Sequence, residues 1–121
     1  MAKETALERE PAREQRVRED EEPWFRCAQC GHGLAPERAR IEVDGAHEHV
    51  FTNPAGVTFT VRCFREAPGT AGVGDESTFW SWFRGYAWRI AACARCGAHA
   101  GWSFRGEASA FWGLVASRGS P

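Results

Sequence analysis

The sequence predicts a mostly β fold of antiparallel strands, in a body of roughly a hundred residues. Three observations carry that expectation. Residues 57–64 alternate with period two, placing Val57, Phe59, Val61 and Cys63 on one face. No long run at helical period occurs in the body. Two nearly identical turns, Cys27-Ala28-Gln29-Cys30-Gly31 and Cys93-Ala94-Arg95-Cys96-Gly97, punctuate it at distant points.

Composition divides the 121 residues near Pro23. Residues 1–22 hold acids and bases in excess, no aromatic residue, and only scattered aliphatics such as Leu7 and Val17. Such a segment buries too little apolar area to offset chain entropy, so a disordered charged tail is expected there. Residues 23–117 contain every Trp, Phe, Tyr and Cys and are expected to form the folded domain, with 118–121 a disordered end. The formal net charge of −1 and the scattered arginines of the body argue against nucleic acid as a partner. No signal peptide or transmembrane run is apparent, so a cytoplasmic protein away from the membrane is expected.

Taken in order, Pro23-Trp24-Phe25-Arg26 leads into the first cysteine turn. Residues 34–45 read as a turn and a short ill-defined segment ending at Asp44-Gly45. His47-Glu48-His49 reads as a polar structural turn. Asn53-Pro54-Ala55-Gly56 is a turn with its own chemistry, because Pro fixes φ and Gly permits the exit. The strand at 57–64 follows, and then a glycine-rich loop over 66–78. A loop through Ser81-Trp82-Phe83-Arg84-Gly85 precedes a strand at 86–92. The second cysteine turn, a strand at 101–105 and a short strand around Phe111-Trp112-Gly113-Leu114-Val115 complete the chain.

A domain this small has a modest core and commonly relies on a staple. Five cysteines, four of them in two CxxCG turns, fit a metal in a reducing compartment better than disulfides. Cys27, Cys30, Cys93 and Cys96 make a closed four-thiolate set suited to one structural zinc, with no position left for a reactive water. His32 and His99 follow the turns and are weighed as substitutes for a thiolate. Cys63 lies on the buried face of the strongest strand and reads as a structural thiol.

Tryptophans crowd around the second turn. Trp82 and Trp88 flank Gly85, and Trp102 lies on the strand leaving Cys96. Closing that segment into a hairpin brings Trp88 and Trp102 onto adjacent strands, so the three indoles can wall a small apolar cavity. The plainer alternative is ordinary core tryptophan, the reading preferred for Trp24 and Trp112.

Ser81-Trp82-Phe83-x-Gly85-Tyr86-x-Trp88, the CxxC that follows, Gly101-Trp102-x-Phe104 and Phe111-Trp112-Gly113-Leu114 together resemble the thalidomide-binding (CULT) domain family of cereblons. Asn53-Pro54-Ala55-Gly56 and the first CxxC fit the same pattern in the same order, and the resemblance covers about residues 24–116. The short form looks like the family's single-domain bacterial members. The resemblance implies a β-tent fold of two antiparallel sheets pinned by zinc. It implies a cage of Trp82, Trp88 and Trp102 with Phe104 at its floor. Backbone groups around Trp80 and Trp82 would hydrogen-bond the ligand, and Asn53 and Pro54 would approach from the facing loop. The implied ligands are cyclic imides: glutarimide or succinimide rings, thalidomide-type compounds, uridine-like imides and peptides ending in a cyclised Gln or Asn. Two departures stand out, since animal members carry His where this chain has Trp80 and Ala55. The regions that would bind a ubiquitin-ligase adaptor are absent from the pattern.

The expectation is therefore a binding module and not an enzyme. Two rivals share its features. Methionine sulfoxide reductases of the B type use a related fold with paired CxxC turns, but they need a late nucleophilic cysteine. An aromatic cage also attracts methylated ammonium groups through cation–π contact. A zinc-ribbon nucleic-acid binder is poorly supported by the charge.

Overall fold

A computed structural model describes residues 22–119, so residues 1–21 of the charged tail and the last two residues lie outside the described part. Eight strands account for the fold: β1 (Trp24–Arg26), β2 (Gly33–Pro36), β3 (Glu48–Thr52), β4 (Thr58–Phe64), β5 (Thr70–Ser77), β6 (Ala87–Cys93), β7 (His99–Arg105) and β8 (Ala110–Gly119). A single 3-10 turn over Glu37–Ala39 is the one helical element among the described residues. β1 and β2 form a small sheet. The others form a six-stranded sheet in the order β3-β4-β8-β7-β6-β5, with every pairing antiparallel.

The alternation in β4 is realised as expected. Phe59, Val61 and Cys63 are buried, while Thr58, Thr60 and Arg62 are half-buried on the other face. β8 pairs with both β4 and β7 and is longer than the short strand expected. It continues through Arg118 and Gly119, which the sequence assigned to a disordered end. The reason is cross-strand: Phe59 pairs with Arg118 and Thr58 with Gly119, extending the ladder to the start of β4. At the other boundary, Glu22 accepts a 2.6 Å hydrogen bond from Arg38, so the ordered body reaches one residue into the expected tail.

Three other expectations are corrected. The glycine-rich stretch at 66–78 contains β5, an edge strand whose residues are mostly exposed. Lacking a buried face it has no period-two signature, and Gly72 lies under the Arg89 side chain where a Cβ would clash. His47-Glu48-His49 runs into β3 rather than forming a turn. Glu48 pairs with Arg62 of β4 at 3.0 Å, and His47 is fixed between Arg40 Nε and the Ile41 carbonyl. The ill-defined segment after the first cysteine turn holds β2 and the 3-10 turn, burying Leu34, Ala35 and Ala39.

Two apolar clusters organise the interior. One lies between the sheets and joins Leu34, Phe64 and Leu114 to Cys27 and Cys93. The other gathers Cys63, Phe83, Phe104 and Phe111, with Trp82, Trp88 and Trp102 packed on it. Gly69 ties the sheets together. Its N–H donates to the Leu34 carbonyl in β2, and its carbonyl accepts from Ala94 in the second cysteine turn, both at 2.9 Å. A side chain there would collide with the Gly33 carbonyl. Trp24 and Trp112 are half-buried, and Trp112 packs on the inter-sheet cluster.

Candidate metal centre and aromatic cavity

The two cysteine turns carry the same backbone pattern. The Cys27 N–H donates to His32 O and the Cys93 N–H to Ala98 O, both at 2.8 Å. Gly31 and Gly97 close their turns on the Cys27 and Cys93 carbonyls at 2.9 Å, with φ of 80° and 81°. Only glycine adopts that left-handed geometry at no steric cost. Gln29 and Arg95 aim their N–H groups at the Cys27 and Cys93 sulfurs, both at 3.4 Å.

One turn follows β1 of the small sheet and the other follows β6 of the large sheet, yet all four sulfurs lie within 4.8 Å of one another. Cys27 and Cys96 Sγ are 3.7 Å apart, and Cys30 and Cys93 Sγ are 3.6 Å apart. Tetrahedral thiolates about 2.3 Å from one ion are separated by about 3.8 Å, so the donor set fits a single metal in a closed shell. Burial works against ionising Cys93, but N–H groups of Cys96 and Arg95 and the neighbouring thiols outweigh it and bring its pKa to about 7. His32 and His99 lie outside this cluster.

The cavity of about 630 Å³ lies on the large sheet, against the second apolar cluster. The structure brings all seven residues singled out from the sequence to its lining: Asn53, Pro54, Trp80, Trp82, Trp88, Trp102 and Phe104. Trp88 and Trp102 come from β6 and β7, but they are not direct cross-strand partners. Trp88 pairs with Phe104 and Trp102 with Ile90, so the two indoles are one step apart along the hairpin. Phe104 is 1% exposed and stacks on Phe111 beneath.

Trp82 reaches the cavity from the loop between β5 and β6. The next residue, Phe83, is 1% exposed and meets Phe104 and Phe111 edge to face at 4.9 Å, which nails the loop to the core. Phe51 stacks on one side of Trp82 at 4.8 Å with planes 8° apart. Trp102 stands at 77° to Trp82, also at 4.8 Å, so the two indoles make a corner.

Three of the indole N–H groups at the cavity have partners in the protein. Trp80 and Trp82 both donate to the Thr52 carbonyl, at 3.1 and 3.3 Å, and Trp88 donates to the Phe79 carbonyl at 2.7 Å. These bonds tie the loop to β3 and β6, leaving the ring faces and the Trp102 N–H as the chemistry of the walls. Trp80 itself is 55% exposed and takes φ of 57°, an uncommon conformation for a bulky residue. It stands at the cavity mouth beside the 67% exposed Phe79. Asn53 Oδ1 accepts the N–H groups of Ala55 and Val57 at 3.0 and 2.9 Å, so its carbonyl organises the turn and its amide N–H groups remain for other contacts.

Sequence reasoning missed six lining residues: Val57, Phe59, Phe79, Ile90, His99 and Arg118. The alternation of β4 marked Phe59 only as core. His99, weighed as a metal ligand, instead sets its ring edge-on to Trp102 at 4.7 Å and hydrogen-bonds the Gly101 carbonyl through Nε2. Burial, and then the Arg118 charge, push its pKa below the ordinary histidine value. Arg118 lies over the Phe59 ring at 5.3 Å. Cys63 is fully buried, and desolvation pushes its thiol up to about 12, the opposite of what a nucleophile needs.

The fold and these two sites define a small all-β domain with an aromatic cavity and four cysteines clustered closely enough to hold a metal ion. No family model matches the chain. Curated proteins named cereblon do. The chain is 38% identical over 72 residues to that of Danio rerio, covering 55% of this chain and 17% of the relative. It is 34% identical over 108 residues to that of Drosophila persimilis, covering 80% of this chain and 17% of the relative. For Drosophila melanogaster the identity is 33% over 108 residues, covering 80% and 18%. The chain is thus homologous to cereblon over the part it matches, consistent with a cereblon-type (CULT) domain, and spans less than a fifth of those relatives. Among the described residues no helix is long and apolar enough to cross a membrane.

Proposed function

We propose that this domain is a binding module that holds a cyclic imide ring between Trp82, Trp88 and Trp102, with one structural zinc on the four cysteines keeping the two sheets in register. The observation that carries the reading is the corner made by Trp82 and Trp102 above buried Phe104, on the cavity that Trp88 also lines. Indole faces pack a small flat or puckered ring, and the imide N–H and its two carbonyls need polar partners once desolvated. The indole N–H groups of Trp80, Trp82 and Trp88 are already engaged, so the partners are backbone groups around Trp80 and Trp82, the Asn53 amide and the Trp102 indole N–H.

A ring of about eight heavy atoms at roughly 0.7–1 kcal/mol per atom binds in the micromolar range or somewhat weaker. Glutarimide, succinimide, uridine and peptides with a cyclised C-terminal Gln or Asn are the ligands of this class. The cereblon homology supports the reading, and carries nothing of the longer relatives' partners with it.

The lining speaks against a methyl-ammonium ligand. Its charged member is Arg118, and no carboxylate is among the lining residues. Sulfoxide reduction is disfavoured by the buried Cys63, whose thiol is held protonated at neutral pH. The test is calorimetry with glutarimide on the zinc-loaded protein. Trp82→Ala and Trp102→Ala are expected to weaken binding at least about tenfold at unchanged metal content, because each removes a wall worth more than about 1.4 kcal/mol. Unchanged affinity in both variants would reject the cage.

A further inference from the structure

We propose that the cavity has an anion subsite at Arg118, so that its preferred ligands are cyclic imides bearing a carboxylate on the ring substituent. The inference rests on the imide reading of the cage and adds the chemistry of what hangs from the ring. The cavity of about 630 Å³ is much larger than one glutarimide ring, so part of it is available to a substituent. Its charge is one-sided. Arg118 supplies a permanent cation, and Asp and Glu do not occur on the lining.

Arg118 is exposed, and its guanidinium rests on an aromatic ring. Its central carbon lies 5.3 Å from the centroid of Phe59, and the backbone of Arg118 pairs with Phe59 across β4 and β8. Phe59 in turn meets Trp102 edge to face at 5.0 Å, so one aromatic ring separates the charge from the cage. The ion pairs of the described residues engage Arg38, Arg40, Arg62 and Arg105, and none includes Arg118. The neighbouring His99 is neutral at pH 7, its protonated form being opposed by burial and by Arg118. A carboxylate reaching this end of the cavity finds a guanidinium fork that hydrogen-bonds it in the plane, with no acid among the described lining residues.

Three probes test this: 3-acetamidoglutarimide, 3-(succinylamino)glutarimide as its free acid, and the same compound with the terminal acid replaced by the amide. Calorimetry on the zinc-loaded full chain is expected to show the acid binding about three- to tenfold tighter than the amide at low salt. That advantage shrinks as ionic strength rises, and is lost in Arg118→Gln, while the amide and acetamide bind both proteins alike. Equal affinity of acid and amide for the unaltered protein, or an advantage that survives in Arg118→Gln, would overturn the subsite and leave the cage standing. Failure of all three compounds to bind would overturn the cage reading and the subsite with it.

Discussion

Cys27 and Cys93 occupy equivalent positions in two turns from different sheets: each accepts the N–H of the residue two further on at its sulfur at 3.4 Å and donates its own N–H at 2.8 Å, and Cys93 also accepts the Cys96 N–H at 3.5 Å. The equivalence places two copies of one ligand-presenting unit face to face. The rest of the seam is short: the small sheet contains only seven residues, and it meets the large sheet through the Leu34–Phe64–Leu114 cluster, Phe25 against Phe64 and Arg62, and Gly69.

Metal removal is therefore expected to unfold the domain rather than loosen one corner of it. A closed four-thiolate zinc site contributes about 10–16 kcal/mol of apparent binding energy, as large as the whole net stability of a typical domain at about 5–15 kcal/mol. Titration with a strong chelator, followed by tryptophan fluorescence and by released zinc, should show both signals move together, with glutarimide binding lost in the same step. Release of zinc with the strand signal in circular dichroism intact would show that the cores hold without it.

Elements whose buried residues alternate, or whose motif imposes its own turn, were legible in the sequence; β2, which buries Leu34, Ala35 and Pro36 in a row, and β5, which buries no face, were not. β4 could be read because Phe59, Val61 and Cys63 alternate inward, and the metal centre because CxxCG imposes its own turn. β5 could not, since an exposed edge strand rich in glycine has no face to bury. The cage tryptophans were placed by motif, but the way they are held was invisible. Nothing in the spacing tells that the Thr52 carbonyl takes the N–H groups of both Trp80 and Trp82, 28 and 30 residues away. Arg118 carried no signal at all, because its position is set by pairing with Phe59, 59 residues earlier.

His99 gives the cavity a pH dependence with a definite sign. Burial is the larger cause and the Arg118 charge the second, and both lower its pKa from the ordinary 6.5. The unfolded chain then takes up the proton first on acidification. This contribution to stability is complete above about pH 6.5 and declines as the pH falls from there toward the folded-state value. A histidine NMR titration should place the His99 midpoint below 6.5, and Arg118→Gln should move it upward. A midpoint at or above 6.5 in the unaltered protein would contradict this account.

Asn53 separates holding the turn from touching the ligand. Its Oδ1 accepts the N–H groups of Ala55 and Val57, and the residue lines the cavity next to Thr52, whose carbonyl holds Trp80 and Trp82. Asn53→Ala deletes both acceptor contacts and should cost about 1–2 kcal/mol in denaturant midpoint, along with glutarimide affinity. Asn53→Asp keeps an oxygen at the same place, so the turn and the stability should survive. It exchanges the amide donor for a carboxylate that repels the imide carbonyls, however, and binding should fall at least about tenfold, or 1.4 kcal/mol. The informative comparison is stability against affinity in the Asp variant. A protein as stable as the parent that still binds glutarimide normally would reduce Asn53 to a turn residue.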